Sequence, residues 1–394
     1  MTTAASFAMT PQDSPTPLLS ALVDDLDIAP SLYEKAAARH TSVGNWLCRP
    51  GSTLARFRPN VRPQGSFRFG TVIKPLVEDT SYDLDQVVVL EGLRTHDVSQ
   101  AELKAGFGAE LAAYARAYGM QVPEEKHRCW CLNYRDEVPF HLDSLPSVPA
   151  TEAEVYSLRS MGVEERWAMP AVAITDDRHP LYHLRGGSWL TSNPRGFARW
   201  FEVRAALGRQ RAATRGAQAS VEGVPPYQWR TPLQRAIQLL KRHRDVMFRD
   251  HPKLAPISMI ITNLAACAYQ GEHDLGQALT GIVERMGRYV RETPPRVPNP
   301  THPAEDYADK WGKKPELEGS FRRWMEQVHA DVRNLSQARL SPDLIERRFA
   351  VRLTEAQQRK LARHLPSPVA APAIVTSTSA ARIETAPPPW GAAR

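Results

Sequence analysis

Residues 82–90 read Tyr-Asp-Leu-Asp-Gln-Val-Val-Val-Leu, two acids at the head of an apolar, β-branched run. Such a run belongs to a buried strand. Strand side chains alternate between faces, so Asp83 and Asp85 share one face and Leu84 takes the other. Two carboxylates side by side repel each other unless a cation lies between them. The strand therefore needs one face in a core and the other on a surface that tolerates paired negative charge. A divalent ion with oxygen ligands would resolve the repulsion; an exposed edge pair or a turn is the plainer alternative.

A second β-like segment, "VPFHLDSLPS", carries one acid, Asp143, between Leu142 and Leu145. An acid in an otherwise apolar strand is costly unless paired or metal-bound. Placed beside the Asp83–Asp85 strand, Asp143 completes a three-carboxylate cluster. Such a cluster can hold two metal ions roughly 3.5–4 Å apart, the arrangement that clamps an in-line phosphoryl displacement. His141 shares the face of Asp143 and is a candidate to hydrogen-bond the cluster. Ahead of the strand stands "GSFRFGT", residues 65–71. Gly65 permits close backbone approach, Ser66 brings a hydroxyl and an N–H, and the residues after them can open a helix whose N–H groups attract phosphate. No G-x-x-x-x-G-K-[ST] loop occurs.

The 394 residues allow two or three domains. Residues 1–30 are expected to form a mobile N-terminal segment. A helix is expected from Ser31, as N-cap, to about Leu47, followed by an α/β half with a strand at "DLDQVVVLEG". A helix over 99–119 is capped by Ser99 and ended by Gly119, and two strands flank the polar turn at Arg135-Asp136-Glu137. The second half reads as helices. The clearest has Thr231 as N-cap, Pro232 in its first turn and a stripe of Leu233, Ile237 and Leu240. Two more follow at "APISMIITNLAACAYQG" and "DLGQALTGIVERMGRYVRE", and then a Pro-rich break at 293–303. Further helical stretches are expected at 316–338 and 342–364. Low complexity marks 366–394 as a disordered tail.

Four cysteines at irregular spacing exclude a disulfide scaffold, and Cys129-x-Cys131 has no second pair at zinc-finger spacing. No apolar run is long enough to cross a membrane and no secretory signal is evident, so a cytoplasmic setting is expected. The formal charge is +7, and between Arg195 and Arg244 eleven Arg/Lys face two acids, Glu202 and Glu222. That excess favours an anionic partner, although a solvated basic face accounts for most of those arginines.

Together, "QGSFRFGTVIKP", "YDLD" and "FHLDSLPS" resemble the signature of polymerase-β-type nucleotidyltransferases. With "WLTSNPRGFARWF", "TPLQRAIQLLKRHRDVMF" and "PISMIITNLAA" they resemble more specifically the bacterial cGAS/DncV-like nucleotidyltransferases, the CD-NTases of CBASS anti-phage systems, from about Ser31 to about Leu365. The resemblance implies an α+β fold. A polymerase-β-like core of mixed sheet and helices (31–180, including an N-terminal spine helix) joins a helical C-terminal lobe (181–365), with the active site in the cleft between them. It implies Asp83, Asp85 and Asp143 as ligands of two Mg²⁺ or Mn²⁺ ions. Gln64, Gly65 and Ser66 would hold a triphosphate, and Lys241 would reach the phosphates from the helical lobe. Ser192 or Asn193 could read a base edge, although an N-cap role is the commoner use of Asn193.

The implied activity joins NTPs, ATP among them, into a cyclic di- or trinucleotide that activates a separate effector. Nucleic acid is not required, and accessory proteins could act on the C-terminal tail. A linear oligonucleotide, RNA or protein nucleotidyltransferase of the same fold is one alternative. A non-catalytic nucleic-acid binder is another, although such a binder gains nothing from three acids.

Overall fold

The computed structural model describes residues 16–77, 80–135, 139–208, 223, 230–336, 342–351 and 354–355. One lobe is built on a mixed sheet of β1 (Pro59–Gln64), β2 (Tyr82–Leu90), β3 (Glu124–Glu125), β4 (Trp130–Tyr134), β5 (Phe140–Pro149), β6 (Val172–Ile174) and β7 (Leu190–Ser192). The order is β1-β2-β5-β4-β3, and β6 and then β7 continue from β5. Strands β2 and β5 run parallel; the other neighbours are antiparallel. The strand expected at "DLDQVVVLEG" is β2, and β4 and β5 flank the expected turn, of which residues 136–138 lie outside the described residues.

The described helices are α1 (Thr16–Leu26), α2 (Pro30–Cys48), α3 (Gly65–Phe69), α4 (Gln100–Ala117), α5 (Glu152–Ser160) and α6 (Glu165–Ala168) in the first half of the chain. They continue with α7 (Pro194–Ala206), α8 (Pro232–Met247), α9 (Ser258–Ala268), α10 (Leu275–Met286), α11 (Pro315–Ser336) and α12 (Pro342–Phe349). Helices α2 and α4 cover one face of the sheet: Ala36, Val43, Leu103, Phe107 and Leu111 pack against Leu84, Val88 and Leu142 in one core. Ser99 starts α4 with a reciprocal capping box to Glu102, which satisfies two otherwise orphaned N–H groups. A second core fills the helical lobe, where Leu233, Ile237 and Leu240 of α8 meet residues of α9, α10 and α11. Thr231 caps α8 through a capping box with Gln234, and Pro232 stands in its first turn.

Several expectations are corrected. The N-terminal 30 residues are not all mobile: α1 buries Leu19, Leu22, Val23 and Leu26 in the core of the helical lobe. Its end is tied down by Arg230 to Asp27 and Arg235 to Asp24 ion pairs. Apolar residues at i, i+3, i+4 and i+7 supply the cause. Residues 1–15 lie outside the described residues. Helix α2 begins at Pro30, with Ala29 rather than Ser31 at the cap, because proline is pre-organised for the first helical position. The sheet lobe runs past 181: β7 pairs with β6, and Trp189 lies in the sheet core. The helical lobe begins at α7. The Pro-rich break contains a hairpin of β8 (Pro298–Asn299) and β9 (His302–Asp306). The helix expected over 342–364 is seen as α12 to Phe349; residues 356–365, the tail at 366–394 and most of the basic stretch at 209–229 lie outside the described residues.

Candidate active site

The parallel ladder of β2 and β5 puts Asp85 opposite Asp143 and Asp83 opposite His141. Neighbouring strands lie about 4.8 Å apart, and residues two apart share a face, so the three acids occupy one patch. Asp83 is exposed; Asp85 and Asp143 are half-buried. Burial, and next the charges of Asp143 and Asp83, push the Asp85 carboxyl up to about 7, against the opposing pull of Lys126 and Lys241. His141 Nδ1 stands 3.8 Å from Asp83 Oδ1 and 3.4 Å from Ser81 Oγ. Lys126 donates to both oxygens of Asp143, at 2.8 and 3.0 Å. Sequence reasoning missed this lysine: it sits on the β3–β4 hairpin, a chain excursion that only the sheet topology returns to β5.

The glycine turn lies directly on this patch. Antiparallel pairing of β1 with β2 sets Gln64 opposite Asp85. Gly65 follows with φ +68° and opens α3. A Cβ at Gly65 would stand 2.0 Å from Asp85 Oδ2. Both the backbone conformation and the approach therefore require glycine.

Helix α8 clamps the segment that follows. Gln234 Nε2 donates to Phe69 O, Gln238 Nε2 to Val72 O, Lys241 Nζ to Thr71 O and Oγ1, and an Arg242 N–H to Lys74 O. Positions 234, 238, 241 and 242 recur at helical spacing, so one face of α8 reads the backbone of the turn. Lys241 is buried, and burial lowers its ammonium pKa to about 7. Lys241 lines a cavity of about 330 Å³ together with Ser66, Asp83, Asp85, Arg244 and Ser258.

A second cavity, of about 220 Å³, adjoins the first through Gly65, Phe69, Asp85 and Met259, and also contains Gln64, Ser192 and Tyr307. Through Glu305 and Tyr307 it meets a wide cleft of about 1090 Å³ that Lys126 borders. Ser192, at the end of β7, donates to Glu305 at 3.2 Å. Asn193 is corrected: it is fully buried, caps α7 by accepting from Gly196 N, and donates to Trp167 O and Thr301 O. Both hydrogens of its amide are committed to these carbonyls, which leaves no donor for a base edge. Asn299, Glu305 and Tyr307 were also missed: Asn299 falls in the Pro-rich break at 293–303, and Glu305 and Tyr307 lie just past it.

Among the described residues no three His, Cys, Asp or Glu side chains converge closely enough to hold an ion as they stand. The donor set nonetheless fits a hard divalent cation. All three acids lie on one patch, Asp85 is short of positive charge, and a lysine ammonium bridges Asp143 in a cation's manner. Asp83 and Asp143 would have to turn away from His141 and Lys126 to share an ion.

A parallel pair of acid-bearing strands, a glycine turn laid on the acids and a helical lobe across the cleft define a nucleotidyltransferase of the polymerase-β type. The family model of the cyclic GMP-AMP synthase DncV-like nucleotidyltransferase domain matches residues 59–146. The chain is 27% identical over 325 residues to a c-di-GMP synthase of Roseivirga ehrenbergii, covering 81% of this chain and 79% of that one. It is also 27% identical over 344 residues to the cyclic dinucleotide synthase CdnG of Bradyrhizobium diazoefficiens, covering 82% and 75%. The solved structure of B. diazoefficiens CdnG in complex with GTP superposes with a TM-score of 0.61 at 22% identity, over 90% of this chain and 98% of that one. These likenesses support a CD-NTase, a nucleotidyltransferase of the cGAS/DncV-like kind.

Proposed function

We propose that this chain joins nucleoside triphosphates into a cyclic di- or trinucleotide, the second messenger of an anti-phage defence. The observation that carries this reading is the Asp83, Asp85 and Asp143 patch under the Gly65 turn, facing the lobe that holds Lys241. A 2′- or 3′-hydroxyl of one nucleotide attacks the α-phosphorus of another. The new P–O bond forms as the bond to the β-phosphate breaks, pyrophosphate leaves, and Asp143 accepts the hydroxyl proton. A second such step closes the ring.

Asp83, Asp85 and Asp143 would hold divalent ions, two per site, with His141 supporting them and Gln64 beside Gly65 on the triphosphate. Once bound, such ions supply charge neutralisation at the phosphates and acidify the attacking hydroxyl. Ser66 and Lys241 face the triphosphate in the 330 Å³ cavity; the second cavity takes a base past Ser192. The relatives' names, a c-di-GMP synthase and a cyclic dinucleotide synthase, favour a cyclic product over a linear one.

The test is incubation with all four NTPs and Mg²⁺ or Mn²⁺, followed by phosphatase and mass spectrometry. A phosphatase-resistant cyclic product supports the proposal. Ladders of linear product or nucleotidylated protein would replace it by the rivals of the same fold, and salt-sensitive RNA binding without turnover by a non-catalytic binder.

A further inference from the structure

Glu305 is a carboxylate held in place by hydrogen bonds and, among the described residues, without an ion-pair partner. It stands on β9, half-buried, at the border of the 220 Å³ cavity and the wide cleft. Ser192 Oγ donates to its Oε1 at 3.2 Å, and Asn299 Nδ2 donates to its Oε2 at 2.6 Å. The orientation of Asn299 is itself fixed, because its Oδ1 accepts from Thr301 N at 2.9 Å and from Thr301 Oγ1 at 3.0 Å. The amide N–H₂ is thereby committed to Glu305. No Lys or Arg among the described residues forms an ion pair with Glu305.

A half-buried carboxylate held this way has lone pairs to spare and needs donors. The cavity beside it is walled by Phe197, Met259 and Tyr307, suited to the faces of a flat ring, and it opens past Asp85 and Gly65 onto the cavity of Ser66 and Lys241. The bases differ in what they show such a carboxylate. Guanine presents two adjacent donors on one edge, N1–H and N2–H₂. Adenine and cytosine present a ring-nitrogen lone pair at the matching position, which a carboxylate repels. Uracil presents a single N–H flanked by two carbonyl oxygens.

We infer that Glu305, positioned by Ser192 and Asn299, reads the base of the bound nucleotide and selects guanine. This rests on the nucleotidyltransferase reading and adds the identity of the base. A site built to hydrogen-bond its substrate rejects an analogue that lacks the donors, because the site's own polar groups are then left unpaired.

The experiment compares wild type with Glu305→Gln and Glu305→Asp. It measures equilibrium binding of non-hydrolysable GTP and ATP analogues, and the base composition of product formed from equimolar NTPs. Expected are a guanine preference in the wild type and a loss in Glu305→Gln of at least about tenfold in GTP affinity. ATP affinity should be kept or raised, which also shows that the variant is folded. Glu305→Asp, which keeps the charge, should retain guanine as the preferred base. An unchanged guanine-to-adenine ratio in Glu305→Gln, or a wild type that prefers adenine, overturns the inference while leaving the enzyme reading intact. A wild type that binds neither analogue overturns both.

Discussion

Gly65 and Asp85 are in contact across the β1–β2 ladder, and a methyl group on the glycine would stand 2.0 Å from the carboxylate oxygen. The turn proposed to hold phosphate and an acid proposed to hold metal are thus a single packed unit. Gly65→Ala should reduce turnover by at least about 100-fold, since small displacements of a positioned group cost that much. It should also lower stability, through both the clash and the positive φ. The clash component disappears when Asp85 is shortened. In a double-mutant cycle of thermal stability, Gly65→Ala should cost less in an Asp85→Ala background than in the wild type. Equal costs would mean that the two residues do not press on each other.

Lys126 occupies the oxygens of Asp143 that a metal ion would need. Lys126→Met should tighten Mn²⁺ binding to the nucleotide-free protein, on the order of tenfold, by removing a competing positive charge. Titration by electron paramagnetic resonance measures this without recourse to turnover. Weaker binding in the variant would instead make the lysine a support for the ion.

Lys241 gives a pH dependence with a definite sign. Its folded pKa is lowered to about 7 by burial, whereas an unfolded lysine titrates near 10.4. Between those values the unfolded chain binds a proton that the folded chain does not, so stability rises with pH across that window. The gain is at most about 1.4 kcal/mol per pH unit. Denaturant titrations of wild type and Lys241→Met at pH 7 and pH 9 isolate this contribution. The wild type should gain on the variant as pH rises, and a constant difference would contradict the assignment.

Asn193 serves structure rather than base choice. Asn193→Ala leaves Gly196 N, Trp167 O and Thr301 O without their partner. It should destabilise the chain by about 2–4 kcal/mol. At a temperature where the variant remains folded, its ratio of guanine to adenine incorporation should match the wild type. A shifted ratio would return Asn193 to the nucleotide.

The acids and the glycine were legible because strand alternation and glycine chemistry are local: three residues in sequence suffice to place Asp83 and Asp85 on one face. Asp143 needed one assumption, that its strand lies beside theirs, and the register shows Asp143 opposite Asp85. Helix α8 was read from its cap and stripe, but its polar face was not. Gln234, Gln238 and Arg242 have no role that the sequence pattern assigns; the fold brings the carbonyls of Phe69, Val72 and Lys74 against them. Lys126, Asn299 and Glu305 were out of reach for the same reason. Each lies on a short hairpin whose residues become informative only through long-range contacts. Helix α1 was hidden by its polar, proline-rich surroundings, although its apolar spacing is regular.

The most direct measurement is mass spectrometry of the product formed from all four NTPs with Mg²⁺ by wild type and by an Asp83→Asn/Asp85→Asn variant of unchanged circular dichroism. A phosphatase-resistant cyclic nucleotide from the wild type and none from the variant is the predicted result. Nucleotide turnover that survives in the variant would contradict the role given to the carboxylate patch.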